Sequence, residues 1–117
     1  VNEMKAALDG EIARRATVAE RLADAGTLFA RGFITEPQDA NVVLLLRDVQ
    51  RLDPGNETAR SMLARSAERL ASVAREAHDV GLREDAKHYL ELALTVTPDV
   101  DAWRRLRALW EEDSTTP

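Results

Sequence analysis

The stretch Ala74–Val100, AREAHDVGLREDAKHYLELALTVTPDV, decides the fold. Together with the residues just before it, it reads as two antiparallel helices joined by a tight turn at Gly81 and closed by Pro98. Leu70, Val73, Ala74 and Ala77 recur at steps of three and four, the spacing of one buried helical stripe. Glycine just past a helix can take the left-handed conformation without a side-chain clash, so the chain can reverse at Gly81. A second stripe follows at Ala86, Leu90, Ala93 and Leu94. Glu84 and Asp85 sit in its first turn, where carboxylates meet the positive end of the helix dipole. Pro98 stops it, because proline lacks the N–H that the next turn would need. Ala86 and Ala93 fall one above the other on the inner face, and side chains that small admit a closely packed neighbouring helix.

The spacing of Gly81, Ala86, Leu90, Ala93, Leu94 and Pro98 resembles that of the tetratricopeptide repeat, a helix-turn-helix unit of about 34 residues. Where that family prefers a large aromatic, then Leu-Gly, then a second aromatic, this chain has Leu70, Val73-Ala74 and Ala77. A degenerate copy precedes it. Leu46, Val49, Leu52 and Pro54 match the closing helix and its Asp-Pro stop, and Leu28-Phe29-Ala30 with Phe33 match the opening one. The distance from Pro54 to Pro98 exceeds a standard repeat, and a lengthened helix from Glu57 to Val80 absorbs the surplus. The expected organisation is one domain over 1–117. Within it, 23–56 form the degenerate repeat, 57–100 the repeat with the long first helix, and 101–113 a capping helix. The arrangement, from about residue 20 to 100, is similar to helical-repeat segments of multidomain bacterial proteins, some of them anchored in the envelope. The resemblance implies an all-α fold and a partner-binding role, as the periplasmic or cytoplasmic part of such a protein.

Composition agrees with a helical domain. A chain of 117 residues can bury a modest core. With 44% apolar and 32% charged residues, it falls with folded chains rather than disordered or membrane-spanning ones. The longest apolar run, Val42–Leu46, falls far short of the ~18 residues of a bilayer span, so no direct membrane contact is expected. Sixteen Lys and Arg against twenty-one Asp and Glu leave a net charge of −5, which argues against nucleic acid as the partner. The basic groups Arg14-Arg15 and Arg104-Arg105 with Arg107 are mixed with carboxylates and read as solvated helix faces. Without cysteine there is neither disulfide nor thiolate chemistry. Opening on Val1 with no leader-like segment, the chain reads as part of a longer protein.

At the N-terminus Asn2 can cap a helix that carries Met4, Leu8 and Ile12, then Val18, Leu22, Ala25, Leu28 and Phe29, ending near Gly32. Gly10 weakens it by ~1 kcal/mol. One long, slightly bent helix fits, as do two helices broken near Arg15 to Thr17; the first is favoured, because no proline or turn-forming cluster separates the halves. Phe33–Asp39 is a loop. Thr35 with Gln38 could form a capping box around Pro37, or Asp39 or Asn41 could cap a later start. The next helix runs to Leu52 with Val42, Leu45, Leu46, Val49 and Leu52 inward. Asp53-Pro54-Gly55-Asn56 is a turn, and Asn56 caps the long helix. That helix is expected to turn Ala59, Met62, Leu63, Ala67, Leu70, Val73, Ala74 and Ala77 inward. Asp99 is expected to cap the last helix, in which Trp103, Leu106 and Trp110 cover the open end of the stack. Asp113–Pro117 reads as a frayed tail.

No residue pattern points to catalysis. Ser61, Ser66, Ser72 and Ser114 sit in no nucleophile elbow, there is no Gly-rich phosphate loop, and the paired carboxylates lie on solvent faces. His78 and His88, on either side of Gly81, lack the spacing of a helical zinc site. No cofactor and no metal is expected. In the resembled family the first helix of each unit lines a concave groove. The matching positions are Glu68, Ala71, Arg75 and His78 in the clear unit, and Asp24, Thr27 and Arg31 in the degenerate one. Arg31 and Arg75 fall at equivalent places by that match, and their guanidinium groups could hold a carboxylate bidentately. Alternatively each pairs with an acid on its own helix, such as Asp24 or Asp79. The expected role is non-catalytic binding of a protein or peptide. The alternative is a spacer or homodimer formed through the N-terminal helix.

Overall fold

A computed structural model of the chain describes the backbone of residues 2–115 and the side chains of residues 3–112. The described residues form five helices and no strand: α1 (Asn2–Ala30), α2 (Val42–Leu52), α3 (Glu57–Asp79), α4 (Arg83–Val96) and α5 (Asp101–Thr115). The fold is all-α. The cap expected of the Asn2 side chain, and the end of the tail at Thr116-Pro117, lie outside the described residues. Residues 113–115 continue α5 rather than fraying from it. The chain divides into two compact units, Val1–Met62 and Leu63–Pro117, with the division inside α3.

In the first unit α1 and α2 pack against each other. α1 is one helix throughout, and it closes on Gly32, whose φ is +80°. The Gly32 N–H donates to Phe29 O at 3.0 Å and the Phe33 N–H to Leu28 O at 2.9 Å, so the last carbonyls of α1 are satisfied. Of the three caps open to α2, Asn41 is the one used. Its Oδ1 accepts from Leu44 N at 2.8 Å, while its amide nitrogen donates to Thr35 O and Pro37 O at 3.1 and 2.9 Å. Val42 N and Val43 N donate to Phe33 O and Ile34 O, so the loop backbone meets the N–H groups that a helix start leaves unpaired. Buried Ile34 and Asn41 hold this loop down. A capping box at Thr35 fails because the chain does not become helical until Val42, beyond Pro37.

Val42, Leu46 and Val49 are fully buried from α2, and Val18 and Ala25 face inward from α1; Leu45 and Leu52, expected beside them, are half-buried. Each fully buried aliphatic contributes about 1.5–3 kcal/mol. Arg14 ties the helices together at their far end. Its Nη1 donates to the Leu52 carbonyl at 2.7 Å, placing a cation on the negative end of the α2 dipole. Glu11 orients that guanidinium through contacts of 2.6 and 3.1 Å and also accepts from Arg15 Nε. The Arg14 hydrogen bond, supported by Arg15, holds the Glu11 carboxyl below the usual carboxylate range. α1 is about 43 Å long and α2 about 16 Å at 1.5 Å per residue. Residues ahead of Arg14 therefore run past the end of α2, and there Met4, Leu8 and Ile12 are 74, 62 and 63% exposed. Asn56 caps α3 as expected, accepting from Ala59 N at 2.8 Å.

In the second unit the turn falls at Gly81, with φ +85°. Gly81 N donates to His78 O at 3.0 Å and Leu82 N to Ala77 O at 2.8 Å, the same closure that Gly32 gives α1. Ala86, Leu90 and Ala93 are fully buried. α4 ends with Thr97 N on Ala93 O, immediately before Pro98. α5 packs on α4 and buries Trp103 and Trp110, with Leu106 half-buried. Its first turn hangs on Val100, whose carbonyl accepts from Trp103 N and Arg104 N. Asp99 is not the cap: its side chain is exposed and lies 3.7 Å from Arg104. Two of the three arginines of α5 are paired locally, Arg104 with Asp99 and Asp101 and Arg107 with Glu91 on α4.

Two buried positions on α3 depart from expectation. Ser66 is fully buried, and Ala71, placed on a solvent face by the repeat match, is 1% exposed. From Leu63 to Ala77 the buried residues span about 140° of the helix at 100° per residue. An arc that wide is broader than one neighbour covers. Ser66 and Ala71 lie at the two edges of that arc, and Ala71 lines a recess with Val100 and Trp103.

Candidate binding site

Ala64, Glu68, Ala71 and Arg75 follow one another at steps of four, three and four, so α3 presents them in a single row. Opposite the row stand Thr97 at the end of α4, Val100 in the linker, and Trp103 in the first turn of α5. Together with Ser72 they enclose an open recess of about 390 Å³, all of it within the second unit. Its apolar floor is Ala71 and Trp103, both buried. Glu68 and Arg75 are exposed above that floor. Seven residues of helix separate them by about 10 Å along the axis. Neither forms an ion pair among the described residues, so two opposite charges remain available at the two ends of the recess. The pairing of Arg75 with Asp79 on its own helix does not form, nor does that of Arg31 with Asp24.

The structure thus brings together three of the residues read from the sequence, Glu68, Ala71 and Arg75. His78 is not with them. It is half-buried and stacks on Trp110, with ring centroids 4.6 Å apart and planes within 7°. Arg31 belongs to the first unit and lies in the turn that closes α1. Aligning the two closing glycines pairs Arg31 with Val80 and Arg75 with Gly26, so the two arginines are not equivalent by that register. The wall formed by Thr97, Val100 and Trp103 was not foreseen. Trp103 announced itself only as an apolar residue of the last helix, and its place beside Arg75 depends on how the chain turns after Pro98.

The lining offers one carboxylate, one guanidinium and the hydroxyls of Ser72 and Thr97, above an indole. That set can clasp a segment carrying both charges. Of the two imidazoles outside it, His78 is engaged with Trp110, and His88 meets Tyr89 edge-on at 5.4 Å. Among the described residues no three His, Cys, Asp or Glu side chains converge as a metal would require. Likewise, no described helix is long and apolar enough to cross a membrane. No protein-family model, curated protein or solved structure matches the chain.

Proposed function

We propose that this chain is a non-catalytic protein-interaction module of tetratricopeptide-like helix pairs within a larger bacterial protein, and that its recess holds an extended peptide segment. The pairing is supported by two matched closures. α1 and α3 are each closed by a glycine with positive φ, Gly32 and Gly81, and α2 and α4 each have as C-cap the residue before a proline, Asp53 and Thr97. The observation that carries the binding role is the unpaired couple Glu68 and Arg75 above the Ala71–Trp103 floor. Their axial separation of about 10 Å is close to the span of three residues of an extended polyproline-type chain at about 3.1 Å each, in which side chains three apart share a face. A segment with a carboxylate at Arg75 and a cation three residues away at Glu68 would satisfy both, and the opposite orientation would satisfy neither. Arginine suits the first contact because its planar fork can bind a carboxylate with two parallel hydrogen bonds.

The test uses blocked peptides bearing Lys and Asp three residues apart, in both orders. Binding is read by the fluorescence of Trp103 in a Trp110→Phe chain. One order is expected to bind saturably and to weaken about tenfold or more with Arg75→Ala, the size of a lost charged hydrogen bond of about 1.5–3 kcal/mol. If neither order changes the emission, or if Arg75→Ala leaves the titration unaltered, this reading fails.

A second reading, self-association through α1, rests on the exposure of Met4, Leu8 and Ile12 beyond the end of α2. A mass that rises with concentration, and no longer does so in a Leu8→Glu chain, would favour it. A constant mass would remove it.

A further inference from the structure

A second recess, of about 310 Å³, lies wholly within the first unit, where α1, the Phe33–Asn41 loop and α2 meet. Its base is aliphatic: Leu28 of α1 with Leu44 and Leu45 of α2. Leu44 is 45% exposed and stands with half-buried Leu28 and Leu45, so the recess presents an apolar patch rather than a lone leucine. Two carboxylates stand among these leucines, Asp24 on α1 and Asp39 in the loop. Both are exposed, and neither is paired with a cation among the described residues. Arg31, close in sequence, is not part of the lining.

The loop that carries Asp39 is fixed in place. Asn41 bonds to Thr35 O and Pro37 O on one side and to Leu44 N on the other, and Ile34 is buried beneath it. The cleft is therefore formed before any partner arrives, and little ordering would be lost on binding. Apolar base and negative rim together select the occupant. An anionic surface or a phosphate backbone is repelled by the two aspartates, and an uncharged apolar segment leaves them without partners. We propose that this cleft binds a cationic amphipathic peptide segment, one aliphatic side chain entering between Leu28, Leu44 and Leu45 while flanking Lys or Arg residues meet Asp24 and Asp39. The site is separate from the Glu68–Arg75 recess, shares no residue with it, and stands or falls independently.

The experiment is an amide-shift titration of the full chain with three blocked peptides of equal length: a leucine flanked by lysines, a leucine flanked by glutamates, and a glycine flanked by lysines. The lysine–leucine peptide is expected to shift the amides of Leu28, Ala40, Leu44 and Leu45, and its affinity to fall as salt screens the exposed carboxylates. The doubly substituted Asp24→Asn, Asp39→Asn chain should bind it about tenfold more weakly, and Leu44→Ser should do the same, whereas Arg75→Ala should bind it unchanged. All four positions are exposed, and the dispersion of the amide spectrum verifies that each variant is folded. Any of three results overturns the proposal: no shift with the lysine–leucine peptide, equal binding of the glutamate or glycine peptide, or undiminished affinity in the Asp24→Asn, Asp39→Asn chain.

Discussion

The imidazole of His78 lies flat on the indole of Trp110, their centroids 4.6 Å apart, and this stack joins the last turn of α3 to α5. Trp110 is almost fully buried, so the histidine ring supplies part of its cover. Offset aromatic pairs contribute about 0.5–1.5 kcal/mol beyond the area they bury. His78→Ala should therefore lower the urea midpoint of the chain, while His78→Phe, which keeps a flat ring on the indole, should restore most of the loss. Equal destabilisation by both substitutions would show that the imidazole nitrogens, not the stack, matter there.

Replacing glycine by alanine should have opposite signs at two places in this chain. Gly81 has φ +85°, where a Cβ is strained although nothing lies within 4 Å of it. Gly81→Ala is expected to destabilise by about 1–2 kcal/mol. Gly10 is in the interior of α1, with open space around its missing Cβ. Gly10→Ala should stabilise by about 0.5–1 kcal/mol, from better helix propensity. Denaturant melts of the two variants beside the parent chain decide both signs.

The elements easiest to read were those whose signals are local and redundant. The turn at Gly81 has a stripe on each side, acids in the first turn of α4 and a proline past its end, and the structure agrees with these except that Val73 is half-buried. Asn56 and the unbroken α1 were equally legible. What escaped depends on neighbours distant in sequence. Ser66 is polar by type yet small enough for a buried stripe, so a reading by polarity passes over it. Ala71 shares its recess with Trp103, which comes from the far side of Pro98. His78 fell on the groove side of a repeat pattern, and an indole thirty-two residues later drew it away. Three capping residues were open for α2, and only the folded loop, with two carbonyls aimed at Asn41, separates them.

Acid should loosen the joint between α1 and α2. Hydrogen bonds from Arg14, and secondarily Arg15, hold the Glu11 carboxyl below its value in an unfolded chain. The unfolded state therefore takes up the proton first as pH falls. The stability Glu11 contributes is complete above the ordinary carboxylate pKa of about 4.3 and is lost as pH drops through the lower folded value. Glu11→Gln should melt below the parent at neutral pH, and the gap between the two should close under strongly acidic conditions. A gap that is independent of pH would mean that the glutamate acts by packing alone.

Asn41 is 6% exposed and makes three hydrogen bonds, one to start α2 and two to fold the preceding loop. Asn41→Ser retains a cap acceptor for Leu44 N but is too short to reach both Thr35 O and Pro37 O. Asn41→Ala forfeits all three bonds. Losing a cap costs about 1 kcal/mol, and losing the two part-buried bonds to Thr35 O and Pro37 O adds about 0.5–1.5 kcal/mol each, Pro37 O keeping its bond from Ala40 N. Stability should then fall in the order parent, Ser, Ala. The loop carries Asp39, so both variants should also bind the lysine–leucine peptide more weakly than the parent, and to similar extents, because both release the loop. If Asn41→Ser matches the parent in both stability and peptide affinity, the two loop bonds contribute nothing, and the cleft does not depend on a pinned Asp39.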